Sequence, residues 1–416
     1  MRTSHIKRSA VGLLSAVAIT LPVHALDLVG DLQKAMRYDP TFQTAVAQRQ
    51  ANLAASSQAS ASYYPSASLN NSRMATDSSS RTTVSVTQPL IDLDKFATLK
   101  QAKPREGFAE ATYLVSYQDL ASRLLKATNA IVLSNETIKL NDSKITALNQ
   151  QALAAKKKLE LGQGTITDQR DIEVKAAQAK AQQISFKNQL EVALKQYAAI
   201  TGERPNVAEF VLPERHKPYA LKPLTDYIDS ALKSNPSITA ARFSERVAEL
   251  DVDKSTGALL PTVNAQFSDS KSATVNNRYT AVVVSMPLQA GTYYARAGVV
   301  AGLEKARESR RESEEKAKVE IERLRSQLDS GDQALAIQQD AVSAALLSVE
   351  ANTRSYEGGV RSAVDVLNAT QTVFQVKSDY VSLVTSQAES LLVLMNLHTV
   401  NPEEALQTAF KYLFVR

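Results

Sequence analysis

The chain has no cysteine and no tryptophan, and only 13 glycines and 13 prolines in 416 residues. Without cysteine there is no disulfide framework, no thiolate-held metal and no attachment point for a cysteine-linked lipid. Histidine is nearly as scarce: of four, His5 and His24 fall in the first 25 residues, leaving His216 and His398 far apart in sequence. Two isolated histidines read as structural, and no nucleophile–base pair or metal-ligand cluster supports an enzyme, a metal site or a cofactor. Past the leader, no run reaches the ~18 consecutive apolar residues a membrane helix needs, so any membrane passage must be made by strands. With 44 % hydrophobic residues and few helix breakers, the composition favours long helices.

The net charge of +5 owes much to the N-terminus, where Arg2, Lys7 and Arg8 precede an apolar run from Val11 to Leu21 and a small-residue site at Val23-His24-Ala25. That pattern is an export signal over residues 1–25, with the mature chain beginning at Leu26. Beyond it Lys and Arg alternate with Glu and Asp, so the basic balance gives no footprint for nucleic acid.

What the sequence does have is a repeat. Ser355-Tyr356-Glu357-Gly358-Gly359-Val360-Arg361 and Val364-Asp365-Val366-Leu367 echo Leu159-Glu160-Leu161-Gly162-Gln163-Gly164-Thr165-Ile166-Thr167-Asp168, with Gly162 matching Gly359 and Asp168 matching Asp365 at a spacing of 197 residues. Glycine suits a tight helix reversal because the turn needs a residue that tolerates positive φ; an aspartate six positions on opens the returning helix. The flanks repeat too: Leu28 to Asp39 then Pro40 matches Leu224 to Asn235 then Pro236, and Tyr63-Tyr64-Pro65 matches Leu259-Leu260-Pro261. Two structural repeats are expected, 26–222 and 223–416, joined through a connector dotted by Pro213, Pro218 and Pro223.

Within each repeat the period changes. Short helices (Asp27 to Tyr38, Thr41 to Ala61) give way to alternation. Ala67 and Leu69 oppose Ser66, Ser68 and Asn70; Val84 and Val86 oppose Thr83, Ser85 and Thr87. A second hairpin has Val263, Ala265 and Phe267 on one face. The hairpins span 63–90 and 260–288, apolar on one side and hydroxylated on the other. Helical pattern then runs from about Ile91 to Glu160, with Pro104 expected to kink or delay its start, and from about Tyr294 to Tyr356; ~65 residues at 1.5 Å each span on the order of 100 Å. Returning helices run from about Thr167 to Ile200 and to about His398, with a short tail helix after Asn401-Pro402. The pairs Arg310/Glu314, Arg311/Glu315 and Lys318/Glu322 suggest a solvated helix face. The fold class is mainly α with a small β part. Four strands cannot close a barrel, so the chain must associate to cross a membrane.

This order of helix, hairpin, long helix, glycine turn and helix, all duplicated, resembles the TolC family of outer-membrane export ducts over nearly the whole mature chain. The resemblance implies a homotrimer with one shared β-barrel in outer-membrane lipid and a periplasmic helical tunnel, in a Gram-negative bacterium. It implies a passive exit duct serving type I secretion or efflux, working with a periplasmic adaptor and an inner-membrane ABC or RND transporter. It also implies roles: Thr167, Asp168, Tyr356 and Arg361 at a periplasmic gate, Asp365 in an acidic ring at the entrance, and Gly162, Gly164, Gly358 and Gly359 in the hairpin turns. Asn368 stands where a family member carries a second aspartate, which weakens the case for a double ring.

Each residue has a plainer reading. Tyr356 could be a packed aromatic, Arg361 a surface charge, and Asp168 and Asp365 helix N-terminal partners. A trimeric coiled-coil stalk or adhesin is the alternative function; it would need sustained heptads and no lipid-facing hairpins.

Overall fold

The computed structural model describes residues 27–73, 80–213, 216–272, 275–286 and 290–414. The expected export signal and, within the expected hairpins, residues 74–79, 273–274 and 287–288 lie outside them. The first half runs α1 (Leu28–Tyr38), α2 (Pro40–Ala61), β1 (Ser66–Arg73), β2 (Ser80–Ile91), α3 (Leu93–Glu160) and α4 (Ile166–Thr201). The second runs α5 (Leu224–Ser234), α6 (Pro236–Gly257), β3 (Thr262–Ser272), β4 (Asn276–Ser285), α7 (Ala290–Glu357) and α8 (Ala363–His398), followed by α9 (Pro402–Phe414). Helix lengths agree pair by pair, 11 residues for α1 and α5, 22 for α2 and α6, 68 for α3 and α7, 36 for α4 and α8, so the duplication extends to the three-dimensional plan.

Local chemistry sets the boundaries. Asp39 and Asn235 each end one helix and cap the next: Phe42 N–H donates to Asp39 at 2.8 Å, and Ser237 N–H to Asn235 at 2.9 Å. Pro40 and Pro236 take the first helical positions, where a missing N–H costs nothing. Asp92 caps α3 by accepting from Lys95 N–H at 3.0 Å, so the helix starts eleven residues before Pro104 and that proline does not delay it. The cap and packing against neighbouring helices outweigh the lost backbone bond at Pro104.

The strands form one antiparallel sheet in the order β1-β2-β3-β4, leaving β1 and β4 as unpaired edges. In its register Ala67 faces Val86, which faces Phe267, while Val263 faces Val284 and Ala265 faces Val282. Leu69 pairs with Val84 on the same side. Ser68, Ser85 and Ser268 share the opposite side, where Ser68 and Ser85 hydroxyls bond at 2.8 Å. The apolar face is exposed, with Val282 and Val284 each 66 % accessible, the state expected of a surface meant for lipid.

Below the sheet α2 packs on α3, α3 on α6, and α6 on α7. The α3/α6 contact is close: the Phe243 ring lies over Gly107, where a Cβ would come within 2.4 Å of it, and Gln101 Nε2 donates to Asp251 at 2.6 Å. Among the described residues the outer faces of α2 and α7 have no such neighbour. Gly291, Gly298 and Gly302 of α7 look into open space, and Ala47, Ala51, Ala54 and Ala55 of α2 are exposed.

Halfway along the rods α1, α5, α9 and the connector pack into the largest core, around Leu120, Leu124, Leu391 and Leu406. Tyr117 donates to Glu403 at 2.9 Å, tying α3 to α9. Both later histidines are structural here: His216 lies between the Tyr380 hydroxyl at 3.1 Å and the Leu413 carbonyl at 3.2 Å, and the His398 ring stands edge-on to Tyr227 at 4.9 Å. On α7 the charge run differs from expectation. Arg310 does pair with Glu314 at 2.9 Å, but it also reaches Glu245 of α6 at 2.6 Å, so it ties two helices together. Arg311 pairs with Glu308 and Lys318 with Glu315, one turn back rather than one turn on, because each side chain chooses between carboxylates on both sides.

Candidate functional site

The tip farthest from the sheet is made of the two glycine turns. At the first, Gly162 has φ 71° and Gln163 N–H donates back to Lys158 O at 2.8 Å; at the second, Gly359 has φ 76° and Val360 N–H donates to Ser355 O at 2.9 Å. Both are six-residue helix closures with the left-handed residue where a Cβ is disfavoured. Gly358 differs. It is not left-handed, and a Cβ there would meet only ordinary contacts at 3.6 Å, so the helix end does not require glycine. Gly164 is tighter, with Leu159 N and Lys158 Cβ both 3.1 Å from a built Cβ.

The returning helices open with matched caps that the glycine–aspartate spacing alone did not reveal. Thr165 Oγ1 accepts from Asp168 N–H at 3.1 Å and donates to the Asp168 carboxylate at 2.8 Å. Ser362 and Asp365 form a full capping box: Asp365 N–H donates to Ser362 Oγ at 3.2 Å and Ser362 N–H to Asp365 at 3.0 Å. The Ser362 hydroxyl, donating to the Asp365 carboxylate at 2.9 Å, and the Ser362 N–H hold that carboxyl below its ordinary range, with Arg361 adding to the effect. The signal was present as Thr165-x-x-Asp168 and Ser362-x-x-Asp365.

Of the expected gate residues, the structure brings some together and separates others. Tyr356 is half-buried against the small apolar cluster of Leu148, Ala155, Ile172 and Leu367 that joins the two hairpins. Burial raises its phenol above the ordinary range, and the Asp168 carboxylate adds to the rise. Among the described residues no hydrogen bond joins Tyr356 or Arg361 to Thr167 or Asp168. Arg361 instead reaches Asp365 of its own hairpin, at 3.8 Å, while Thr167 and Asn368 are exposed. Asp168 accepts from the Thr165 hydroxyl and Asp365 from Ser362, each at the start of its own helix, and the expected cross-hairpin bonds are absent among the described residues of the single chain.

A residue that sequence reasoning missed supplies the link. Lys158, near the end of α3, donates its ammonium to the Tyr356 carbonyl and stands 3.9 Å from the centroid of that ring. No sequence signal singles it out from Lys156 and Lys157. Farther up, Lys144 donates to Gln371 and lies 5.0 Å from the Phe374 ring, which stacks on Phe186 at 6.4 Å. Toward the tip the second hairpin is thus held to the first by a few side chains, whereas midway along the rods α3 and α8 share the core.

The profile described as outer membrane efflux protein matches residues 32–203 and 227–398, one match per repeat. The chain is 24 % identical to the alkaline protease secretion protein AprF of Pseudomonas aeruginosa, over 85 % of this chain and 80 % of AprF. It is 22 % identical to the outer membrane protein TolC of Vibrio cholerae, over 97 % of this chain and 98 % of that protein. Its fold superposes on the outer membrane protein VceC of Vibrio cholerae with a TM-score of 0.74 at 16 % identity, covering 89 % of this chain and 96 % of VceC, and on the outer-membrane channel OprN with 0.77 at 14 % identity, covering 90 % of each. With most of both repeats matched, the chain belongs to the outer membrane efflux protein family.

Proposed function

We propose that this outer-membrane channel is held shut at its helical tip by contacts between the two hairpins of each protomer, and that cargo passes when the second hairpin moves away from the first. The channel is a passive exit duct, without catalytic machinery, in an export system that includes a periplasmic adaptor and an inner-membrane transporter. Three copies supply twelve strands to one barrel, since four per chain leave both edges open. A surface stalk has no use for a sheet with an exposed apolar face, and family membership sets that alternative aside.

The observation that carries the gate is the Lys158–Tyr356 contact, which spans the hairpins at the tip and shares it with a small apolar cluster. Few contacts and a solvated surround suit an element that must have two positions. Thr167 and Asp168, in the first turn of α4, and Arg361, in the second glycine turn, are assigned to the same gate, meeting across the hairpins or between neighbouring copies. Asp365 would bring one carboxylate per copy to the entrance. Single-channel recording of purified trimers in planar bilayers tests the gate: replacing Lys158 with Met and Tyr356 with Leu together should raise conductance without reducing trimer yield. Unchanged conductance with intact trimers would mean the tip is held elsewhere.

A further inference from the structure

We propose that the sheet carries, at the end away from the helices, a binding site for phosphate-bearing lipid headgroups built from Arg73, Lys271 and Arg278. The pairing register puts these residues on the lipid side. Phe267, Asp269 and Lys271 alternate onto one face of β3; Asp269 faces Val84 and Arg278, Val84 faces Leu69, and Lys271 faces Thr82 and Asn276. On β1, Arg73 follows Ala67, Leu69 and Asn71 on that same face. It is the face of Val263, Val282 and Val284, so the cations continue the surface that meets hydrocarbon.

Their height is set by chemistry. At the helix end the apolar band is bordered by exposed aromatics, with Tyr64 at 69 %, Tyr293 at 68 % and Tyr294 at 75 % accessibility, as at a membrane–water boundary. At the other end it stops at the Asp269–Arg278 ion pair, 2.8 Å apart. From Thr262 to Ser272 the strand runs about 33 Å, which at the ~40° tilt of a barrel strand is about 25 Å of height, the thickness of a barrel's apolar band. Charged side chains on a lipid-facing strand are tolerated near the interface and not at mid-depth. The ion pair therefore lies at the outer edge of the band, and Lys271 and Arg73, farther along their strands, lie at the headgroup level.

The charge is unbalanced on this face. Among the described residues three cations stand against one carboxylate, and Arg278 gives Asp269 one of its guanidinium nitrogens while its side chain stays 67 % exposed. A planar guanidinium with free donors and a neighbouring ammonium match a phosphate better than a neutral headgroup. The hydroxylated face is unlike it: its Arg81 is turned onto Ser270 Oγ at 2.8 Å, among Thr83 and Ser268. Barrel closure sets the β4 edge of one copy beside the β1 edge of the next, which brings Arg278 and an Arg73 to the same junction at the same end. Each junction then holds a cationic cluster facing the outer leaflet, one per protomer.

This inference rests on the barrel assignment and not on the gate. The test uses purified full-length trimers and diphosphoryl lipid A as probe, with bound lipid counted by native mass spectrometry. Arg73→Gln, Lys271→Gln and Arg278→Gln combined should weaken lipid A binding on the order of tenfold, whereas dephosphorylated lipid A should bind the parent and the variant alike. Asp269→Asn, which releases Arg278, should bind lipid A more tightly than the parent. Inorganic phosphate in millimolar excess should not displace the lipid; displacement would assign the site to free phosphate and overturn the lipid reading. Equal binding by parent and triple variant would also overturn it. If the triple variant yields no trimer, Lys271→Gln and Asp269→Asn decide the matter, because they must shift affinity in opposite directions.

Discussion

The ammonium of Lys158, on the first helical hairpin, stands 3.9 Å from the centre of the Tyr356 ring on the second. The two hairpins touch along their length, yet at the tip this is the one cation–aromatic contact among the described residues that ties them. A cation over a partly shielded ring contributes about 0.5–2 kcal/mol. If the contact holds the closed state, Lys158→Met and Tyr356→Leu should each raise open probability roughly 2- to 30-fold. Together they should give less than the product of the two, since each removes the same interaction. Fully multiplicative effects in single-channel records would show that the residues act independently.

Asp365 serves two candidate roles that substitutions can separate. Ser362→Ala breaks the capping box and leaves the carboxylate; Asp365→Asn removes the charge and keeps an amide that can still accept a hydrogen bond. If copies of Asp365 form an acidic entrance, Asp365→Asn should lower cation selectivity and block by multivalent cations while Ser362→Ala changes neither. Reversal potentials in a salt gradient read this directly. A shared response to both substitutions would reduce Asp365 to a cap.

The glycine turns make a graded prediction. Gly162→Ala and Gly359→Ala place a Cβ at φ near +70° to +76°, which costs roughly 1–2 kcal/mol, whereas Gly358→Ala should be close to neutral. The cost should appear as faster amide exchange across the last turn of α3 or α7 with trimer yield retained. Equal exchange in Gly358→Ala and Gly359→Ala would mean that the turns relax to another closure.

Trimer assembly should depend on the open face of α7. The repeat makes α3 on α6 inside the chain the template for α7 on α2 between chains, so Gly298, which looks into empty space in one chain, should become crowded. Gly298→Leu is therefore expected to shift purified protein from trimer toward monomer in size-exclusion chromatography with helix content unchanged. A full trimer yield would show that the copies meet along a different face.

Acid should loosen the α2 cap. Burial alone would raise the Asp39 carboxyl, but Arg123, at 2.7 Å, and the Phe42 N–H together hold it below its ordinary value of 3.8. A depressed carboxylate gives stability that is fully present above the unfolded value near 4 and is lost as pH falls through the folded one. Stability should thus decline below about pH 4, and Asp39→Asn, less stable at neutral pH, should show a shallower decline in denaturant melts taken across that range. An unchanged acid limb would show that Asp39 does not contribute to it.

Much was legible in the chain because the signals are local and repeated. Asp39-Pro40 and Asn235-Pro236 carry their own cap and first-turn chemistry, alternation in Ala67, Leu69, Val84 and Val86 has a period of two, and Gly162 and Gly359 answer a demand of the backbone. Pro104 misled because its cost is local, while the Asp92 cap and the packing of α3 against α2 and α6 decide where the helix runs. The i,i+4 pairs on α7 misled because Arg311 and Lys318 have carboxylates on both sides.

The sequence by itself determined the duplicated elements, the turn positions, the two faces of the sheet and the need to associate, since each follows from periodicity or from the geometry one residue can adopt. Only the tertiary structure decided which side chains meet across the hairpins. Lys158 reaches Tyr356 because helices 68 residues long bring distant residues to one height through their packing, and a lysine's choice of partner depends on which ring and carbonyl that packing sets within reach.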